Sequence, residues 1–228
     1  MSKERPILFN GAMVRAILAG QKTQTRRAVK LPHNNRLGQW EASTSGGHGA
    51  RDRKGNLVPE HVCIWHTRTG DTLSCPLGQP GDRLWVRETF SPIYSTTDGG
   101  LIEVDYRATY QHGHRMGDHL GIPKEWKPSV HMPREACRLV LEISAVRVER
   151  LQALPNADGE AEGISFCIED PDTTAGRAFS EAEHYWIAGV SMRGTPEDHA
   201  MRAQFAEQGL DWDSNPWVWV IDFKQVTP

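Results

Sequence analysis

The sequence predicts an α+β domain in which a small β-barrel carries a helix near each end and long loop insertions. Short strand-forming runs recur along the chain, and helical patterns stand near both ends. The apolar alternation of residues 138–151 also changes phase by one residue, as happens where a strand bends around a small barrel. We expect one domain over residues 1–228, with insertions at about 31–79, 109–133 and 166–212.

The composition indicates a folded, cytoplasmic protein. Hydrophobic residues make up 38% of the 228 residues and charged residues 24%, which excludes low-complexity and charge-dominated disordered chains. No run approaches the ~20 apolar residues that cross a bilayer, and MSKERPILF at the N-terminus is charged where a secretory signal is apolar. We expect no membrane partner, and we expect the four cysteines to stay reduced.

The first predicted elements are a strand and a helix. Residues 6–9 form a short apolar run, and Asn10 is a favourable helix N-cap. Apolar residues then recur at i,i+4 in GAMVRAILAG, which indicates an amphipathic helix. Gly20 stands where a residue in the left-handed conformation commonly ends a helix. Basic and hydroxyl side chains follow this helix end directly.

Two polar stretches surround the strands of the middle region. Residues 31–82 are rich in Gly, Asn, Ser, Thr, Pro and His without a sustained period, which predicts a long and mostly irregular excursion. Pro-Gly-Asp then introduces a strand over RLWVRETF, residues 83–90, and residues 103–108 indicate another. Residues 109–133 are polar again and form a second excursion.

The C-terminal part continues with strands and helices. The phase change within residues 138–151 predicts a bulge near Ser144 or Ala145. The elements predicted after this strand are a short helix ending at Gly163, a helix opened by a capping box at Ser180, a helix from Thr195 to Gly209 and a closing strand over 217–223.

Charge is unevenly divided along the chain. Residues 1–150 carry 22 basic and 15 acidic side chains, a net of +7, whereas residues 151–228 carry 4 and 14, a net of −10. Such asymmetry hints at an anionic partner for the basic part. Unevenly placed charges also simply solvate a surface, and composition leaves both interpretations open.

The segment GQKTQTRR, residues 20–27, carries the densest chemistry. It places the amine of Lys22, the hydroxyl of Thr25 and the guanidiniums of Arg26 and Arg27 directly after a helix end. Lys and Arg donate to phosphate or carbonyl oxygens, and a Thr hydroxyl attacks a carbonyl when a neighbouring base accepts its proton. A solvated basic turn is the alternative that the residue types alone leave open.

The spacing of Gly20, Lys22, Thr25 and Arg27 resembles the GxKxxTxR signature of the ASCH domain, a family with a PUA-like β-barrel. The predicted strands and helices outside the insertions also follow the order of that family. The insertions are similar to those of larger ASCH proteins associated with phages and prophages. The resemblance implies a barrel cleft that is lined by the signature and accepts RNA or a modified nucleobase.

Some small bacterial ASCH proteins are amidohydrolases that remove the acyl group of N4-acetylcytidine with a Lys, a Thr and a Glu. The resemblance places these roles on Lys22 as base, Thr25 as nucleophile and Glu162 as the acid or orienting group, with Glu160 a near rival. It implies neither a metal nor another cofactor. The substrate-binding residues that we expect are Gly20, Arg26, Arg27 and Arg87.

A second hypothesis is a non-catalytic RNA-binding module, or a ribonuclease, that uses the same basic cleft. Trp40, Trp65 and Trp126 stand in the insertions beside cationic side chains, which suits base stacking combined with phosphate contact. The same tryptophans would also serve to pin the loops to the barrel. The partner is then a nucleoside in the first hypothesis and single-stranded RNA in the second.

Four residues of zinc-ligand type fall within a short stretch: His61, Cys63, His66 and Cys75. Structural zinc sites do use four such N and S ligands. Their spacing matches no common zinc finger, however, and ten histidines in one chain make chance clusters common. We therefore predict no metal site.

Overall fold

The computed structural model describes residues 2–95, 97–114, 116–121, 124–164, 177–178 and 195–227. Strands dominate these residues and the helices are few and short, so the fold class is α+β, as predicted. The helix that we predicted from Ser180 lies outside the described residues. None of the described helices is both long enough and apolar enough to span a membrane.

The elements are numbered in chain order. The strands are β1 (Glu4–Leu8), β2 (Gln24–Ala28), β3 (Trp40–Ser45), β4 (His61–His66), β5 (Thr72–Ser74), β6 (Arg83–Arg87), β7 (Phe90–Tyr94), β8 (Leu101–Tyr106), β9 (Val140–Arg150) and β10 (Trp217–Val226). The helices are α1 (Gly11–Leu18), α2 (Met116–His119), α3 (Asn156–Ala161) and α4 (Pro196–Glu207).

The main sheet has the spatial order β1-β6-β9-β10-β2. β1 and β6 are parallel, and every other pair of neighbours is antiparallel. No ladder joins β1 to β2 within the described residues, so these strands form an open sheet and not the closed barrel that we expected. A side chain connects the two edges instead, because Arg27 on β2 donates to the carbonyl of Leu8 at 2.8 Å.

The predicted bulge in β9 is confirmed. Asp222 of β10 pairs with Ala145, and the next residue, Phe223, pairs with Ile143, which leaves Ser144 without a partner in the ladder. The extra residue turns both phases of the apolar alternation toward one core, where Ile143 and Val148 are both buried.

The strand and helix at the N-terminus form as predicted. The side chain of Asn10 accepts the N–H of Met13 at 2.9 Å and so caps α1. The helix buries Met13, Val14 and Ile17 against the main sheet. Gly20 has a φ of +73° and ends the helix in the left-handed conformation.

The other face of β10 supports a second core. Val218 and Val220 pack there with Met201 and Phe205 of α4. The start of α4 at Thr195 is confirmed, and a capping box forms there. Thr195 and Asp198 each accept the other's backbone N–H, at 3.3 Å and 2.8 Å.

The capping box predicts a measurable contribution to stability. We expect Thr195→Ala to lower the free energy of unfolding by about 1 kcal/mol, because the variant loses the side-chain acceptor for a helix N–H. Thr195→Ser keeps that acceptor and should stay close to the wild type. Urea denaturation of the three proteins measures the difference, and equal stability of all three would contradict the prediction.

Most of residues 31–82 lie outside regular elements, as predicted, but the prediction missed three short strands. This segment contains a three-stranded antiparallel sheet with the order β3-β4-β5. Its strands have three to six residues and carry many polar side chains, so the alternation is too short to stand out in the sequence. β4 joins the sheet to the main core through Ile64, which is fully buried. A separate hairpin, β7-β8, precedes the second excursion.

Candidate functional site

The signature segment lies where α1 gives way to β2. After Gly20 the amides of Gln21 and Lys22 both donate to the carbonyl of Ala16, at 2.9 Å and 3.1 Å. This turn folds the chain back beside the helix and directs it into β2. A Cβ on Gly20 would meet no atom within 4 Å, so this residue is needed for its backbone conformation.

The end of α3 packs against this turn. The N–H of Thr23 donates to the carbonyl of Ala161 at 2.9 Å. Gly163 has a φ of +76°, and a Cβ at this position would lie 3.2 Å from the Cβ of Lys22. A glycine is therefore required both by the backbone conformation and by the close approach of the two segments. This approach places the neighbouring Glu162 beside Lys22.

Lys22 and Glu162 form a fully buried ion pair. The Nζ of Lys22 donates to the Oε2 of Glu162 at 2.8 Å and to its backbone carbonyl at 2.6 Å, and neither side chain is exposed. Burial lowers the pKa of Lys22; the negative charge of Glu162 opposes this effect, and the positive charges of Arg27 and Arg26 add to it. Glu160, the rival position, is exposed.

Arg26 holds Glu162 from the other side. Its guanidinium is fully buried and donates to Glu162 at 3.2 Å, to Glu149 at 2.7 Å and to Asp158 at 2.9 Å. It also donates to the side-chain oxygen of Gln24. The NH1 and NH2 groups of Arg26 thus have protein acceptors, and in this structure the residue positions Glu162.

A second arginine extends the same network. Arg147 on β9 forms ion pairs with Asp158, with Asp222 at 2.8 Å and with Glu149 at 3.4 Å. Gln24 donates to Asp222 at 2.6 Å and so connects Arg26 with the carboxylate that pairs with Arg147. The cations and carboxylates alternate and hold one another in place. The low dielectric of a protein interior strengthens such hydrogen bonds.

Thr25 projects from the face of β2 opposite to the one that carries Gln24 and Arg26. Its backbone pairs with Ile221 of β10, and its side chain is fully buried. The hydroxyl Oγ1 is buried without a hydrogen-bond partner among the residues that the structure describes. Buried side-chain hydroxyls are nearly always hydrogen-bonded, so this one calls for an explanation.

Arg27 and Lys22 approach the same aromatic ring. The guanidinium carbon of Arg27 lies 5.2 Å from the centre of the Phe9 ring, and the Nζ of Lys22 lies 5.8 Å from it. Burial lowers the pKa of Arg27, an effect that the charge of Glu162 opposes. The structure therefore brings Lys22, Arg27 and Glu162 together, and it adds Phe9, which the sequence analysis did not single out.

Arg87 approaches this group through its backbone. Its carbonyl accepts the N–H of Phe9 at 3.3 Å, where β1 and β6 end side by side. Its guanidinium instead contacts the carbonyl of Val130 and lies 5.3 Å from the Trp85 ring. In this structure the guanidinium is thus engaged by neighbouring residues, whereas our prediction gave it a substrate-binding role.

The other candidate residues have separate surroundings. His66 is buried and contacts the carbonyl of Asn35 at 3.1 Å, and His61 contacts Ser74 at 2.9 Å. Within the described ranges no group of three or more His, Cys, Asp or Glu residues is placed to hold a metal ion. Trp40 packs on His66, with ring centres 5.1 Å apart, so it packs β3 against β4.

Comparisons of the chain with protein-family models, curated proteins and solved structures found no match. The site is therefore characterised by its own geometry. A buried lysine with a lowered pKa lies against a buried glutamate, and a threonine hydroxyl without a described partner projects from the strand that follows.

Proposed function

We propose that the protein is an ASCH-type amidohydrolase, with a PUA-like arrangement of its strands, that removes the acyl group from an N4-acylcytidine-like nucleoside. Thr25 is the nucleophile, Lys22 the base and Glu162 the group that orients Lys22. The proposal depends above all on the hydroxyl of Thr25, which has no hydrogen-bond partner among the residues that the structure describes. A buried hydroxyl without a partner costs about 1–3 kcal/mol, and a role as nucleophile accounts for its retention.

The proposed reaction begins with acyl transfer to Thr25. Neutral Lys22 accepts the hydroxyl proton as Oγ1 bonds to the amide carbonyl carbon, and the carbonyl electron pair moves onto oxygen. When the intermediate collapses, the C–N bond breaks and Lys22 returns the proton to the leaving N4 amine. Cytidine departs and an ester remains on Thr25. Water then hydrolyses the ester with Lys22 again as base, which releases the carboxylic acid and restores the hydroxyl.

The neighbours of Lys22 suit this role. Burial lowers its pKa, which makes the neutral amine more accessible than in an exposed lysine. Two hydrogen bonds to Glu162 hold the nitrogen in place. Arg27 lies on the side of β2 from which Thr25 projects, and its guanidinium would stabilise the oxyanion of the intermediate.

Substrate entry requires the site to open. Lys22, Thr25 and Glu162 are each at most 1% exposed. Phe9 lies against Lys22 and Arg27, so we expect these side chains to separate when the nucleoside binds. Movements of this kind commonly precede chemistry in enzymes whose sites exclude water.

The test is direct incubation of the purified protein with N4-acetylcytidine. Chromatography should show cytidine and acetate appearing in equal amounts, with turnover beyond one equivalent of enzyme. Absence of turnover by the correctly folded wild type would contradict the proposed substrate. Release of cytidine that persists in Lys22→Met would contradict the assignment of the base.

The pH dependence of the reaction should report Lys22. Since the neutral amine is the base, kcat/KM should rise with pH and level off once Lys22 is deprotonated. The midpoint should lie below the ordinary lysine value of 10.5, because burial lowers this pKa. In the same interval the unfolded chain binds more protons at Lys22 than the folded one, so this group makes the free energy of unfolding rise with pH as well. A rate that falls across this interval would contradict the prediction.

A further inference from the structure

A cavity of about 540 Å³ lies outside the signature site, and its wall includes residues of the turn that follows β8 together with Asp118, Gly121, Lys124 and Trp126. Its volume is within the range of roughly 300–1,000 Å³ that is typical of small-molecule sites. It belongs largely to the second predicted insertion, and the proposed hydrolysis uses none of its lining residues. A ligand bound in this cavity would therefore be separate from the substrate of the proposed hydrolysis.

Two aromatic rings form part of its wall. The centres of the Tyr110 and Trp126 rings are 5.4 Å apart, and the rings are inclined at 75°. Tyr110 donates its hydroxyl to Asp118, which fixes the orientation of the phenol. The arrangement offers two fixed, nearly perpendicular apolar surfaces, of the kind on which nucleobases stack.

Cations accompany these rings. The guanidinium of Arg107 lies 5.6 Å from the centre of the Trp126 ring, and the Nζ of Lys124 lies 4.3 Å from that of Tyr110. Lys124 is paired with Asp105 and serves mainly to hold the wall in place. Arg107 is exposed and forms no ion pair with any residue that the structure describes, so its charge is available to a ligand.

Arg107 also lines a second cavity. The second cavity has a volume of about 330 Å³ and is lined by Arg107, Arg15 and the first residues of α1. Glu88 is part of its wall, but Arg138 neutralises this carboxylate through two hydrogen bonds of 2.9 Å. The two cavities share Arg107 as a wall residue, and we refer to them together as the groove: Tyr110 and Trp126 line the first cavity, and Arg15 lines the second.

We propose that this groove binds a single-stranded polynucleotide. One base stacks against Trp126 and Tyr110, and the following phosphates lie along Arg107 and Arg15. The aromatic rings favour a ligand that contains bases over a simple anion such as phosphate. The second cavity favours a strand of several nucleotides over a single free nucleotide. The site is separate from the proposed hydrolytic site, so it does not depend on that activity.

The test is fluorescence anisotropy with labelled octaadenylate at two salt concentrations. We expect Trp126→Leu to weaken binding about tenfold or more, as loss of a stacking ring does at similar sites. Arg107→Gln should weaken binding and reduce the slope of log affinity against log salt by about one. Arg107→Gln should leave the hydrolysis of N4-acetylcytidine unchanged, which separates this site from the hydrolytic one.

Matched controls make the outcome decisive. Trp65→Leu and Arg53→Gln remove an exposed tryptophan and an exposed arginine from the first insertion and should leave binding unchanged. Because Arg107 is exposed, its variant tests the site even if Trp126→Leu unfolds. Absence of binding by the wild type, or equal losses in the control variants, would overturn the proposal. Adenosine monophosphate that competes as well as unlabelled octaadenylate would overturn the assignment of a strand.

Discussion

Thr25→Val should abolish hydrolysis of N4-acetylcytidine while leaving the protein at least as stable as the wild type. Valine has the shape of threonine without the hydroxyl, and that hydroxyl is buried without a described partner. Removing an unsatisfied polar group relieves a cost of about 1–3 kcal/mol, so urea denaturation should show equal or greater stability. Loss of the nucleophile should lower kcat by about a thousandfold or more.

The opposite signs of these two effects make the experiment informative. If Thr25 had a purely structural role, the substitution would lower the stability, and hydrolysis would persist. Thr25→Ser is the matched control, since it keeps a hydroxyl on a slightly smaller side chain and should retain part of the activity. Hydrolysis by Thr25→Val at the wild-type rate would contradict the role of this residue as nucleophile.

Glu162→Leu should be the most destabilising single substitution among the residues of the site. It leaves the buried amine of Lys22 without its carboxylate and removes one acceptor from Arg26. Breaking one side of a buried ion pair costs about 3–5 kcal/mol, because the remaining charge is neither solvated nor neutralised. The midpoint and slope of urea unfolding measure this loss.

Two further variants test whether the unpaired charge of Lys22 causes this loss of stability. Lys22→Met combined with Glu162→Leu removes both charges and should recover much of the lost stability, since apolar residues often replace a buried pair at little cost. Glu142→Leu makes the same change in the surface pair with Lys224 and should change the stability far less, because water screens that pair. A double variant as unstable as the sum of the single ones would contradict this account.

Much of the fold could be predicted because its signals are local. Asn10, Gly20 and Gly209 mark helix ends through their own capping and backbone preferences, and the bulge at Ser144 follows from a phase change within one strand. The strands β3 to β5 could not be predicted, since they are short and polar. They form because they pair with one another, and this pairing leaves no period in the sequence.

The same distinction applies to the site. Lys22, Thr25 and Glu162 were identified through resemblance to a motif, and the structure places Lys22 in contact with Glu162. The network around Arg26 was missed because its carboxylates come from distant segments: Glu149, Asp158 and Asp222. The one available signal was the charge alternation of VRVER in an otherwise apolar strand.

The pairing of β2 with β10 has a consequence for the order of folding. Residues 24–28 lie in register with residues 218–222, so almost the whole chain separates the two strands. Contacts so distant in sequence form slowly, because a long loop must close before they contribute stability. During synthesis, the strand that carries Thr25 cannot pair with β10 until β10 has emerged from the ribosome. We therefore expect the residues of the candidate site to assemble late in folding, and a nascent chain without β10 should lack this arrangement.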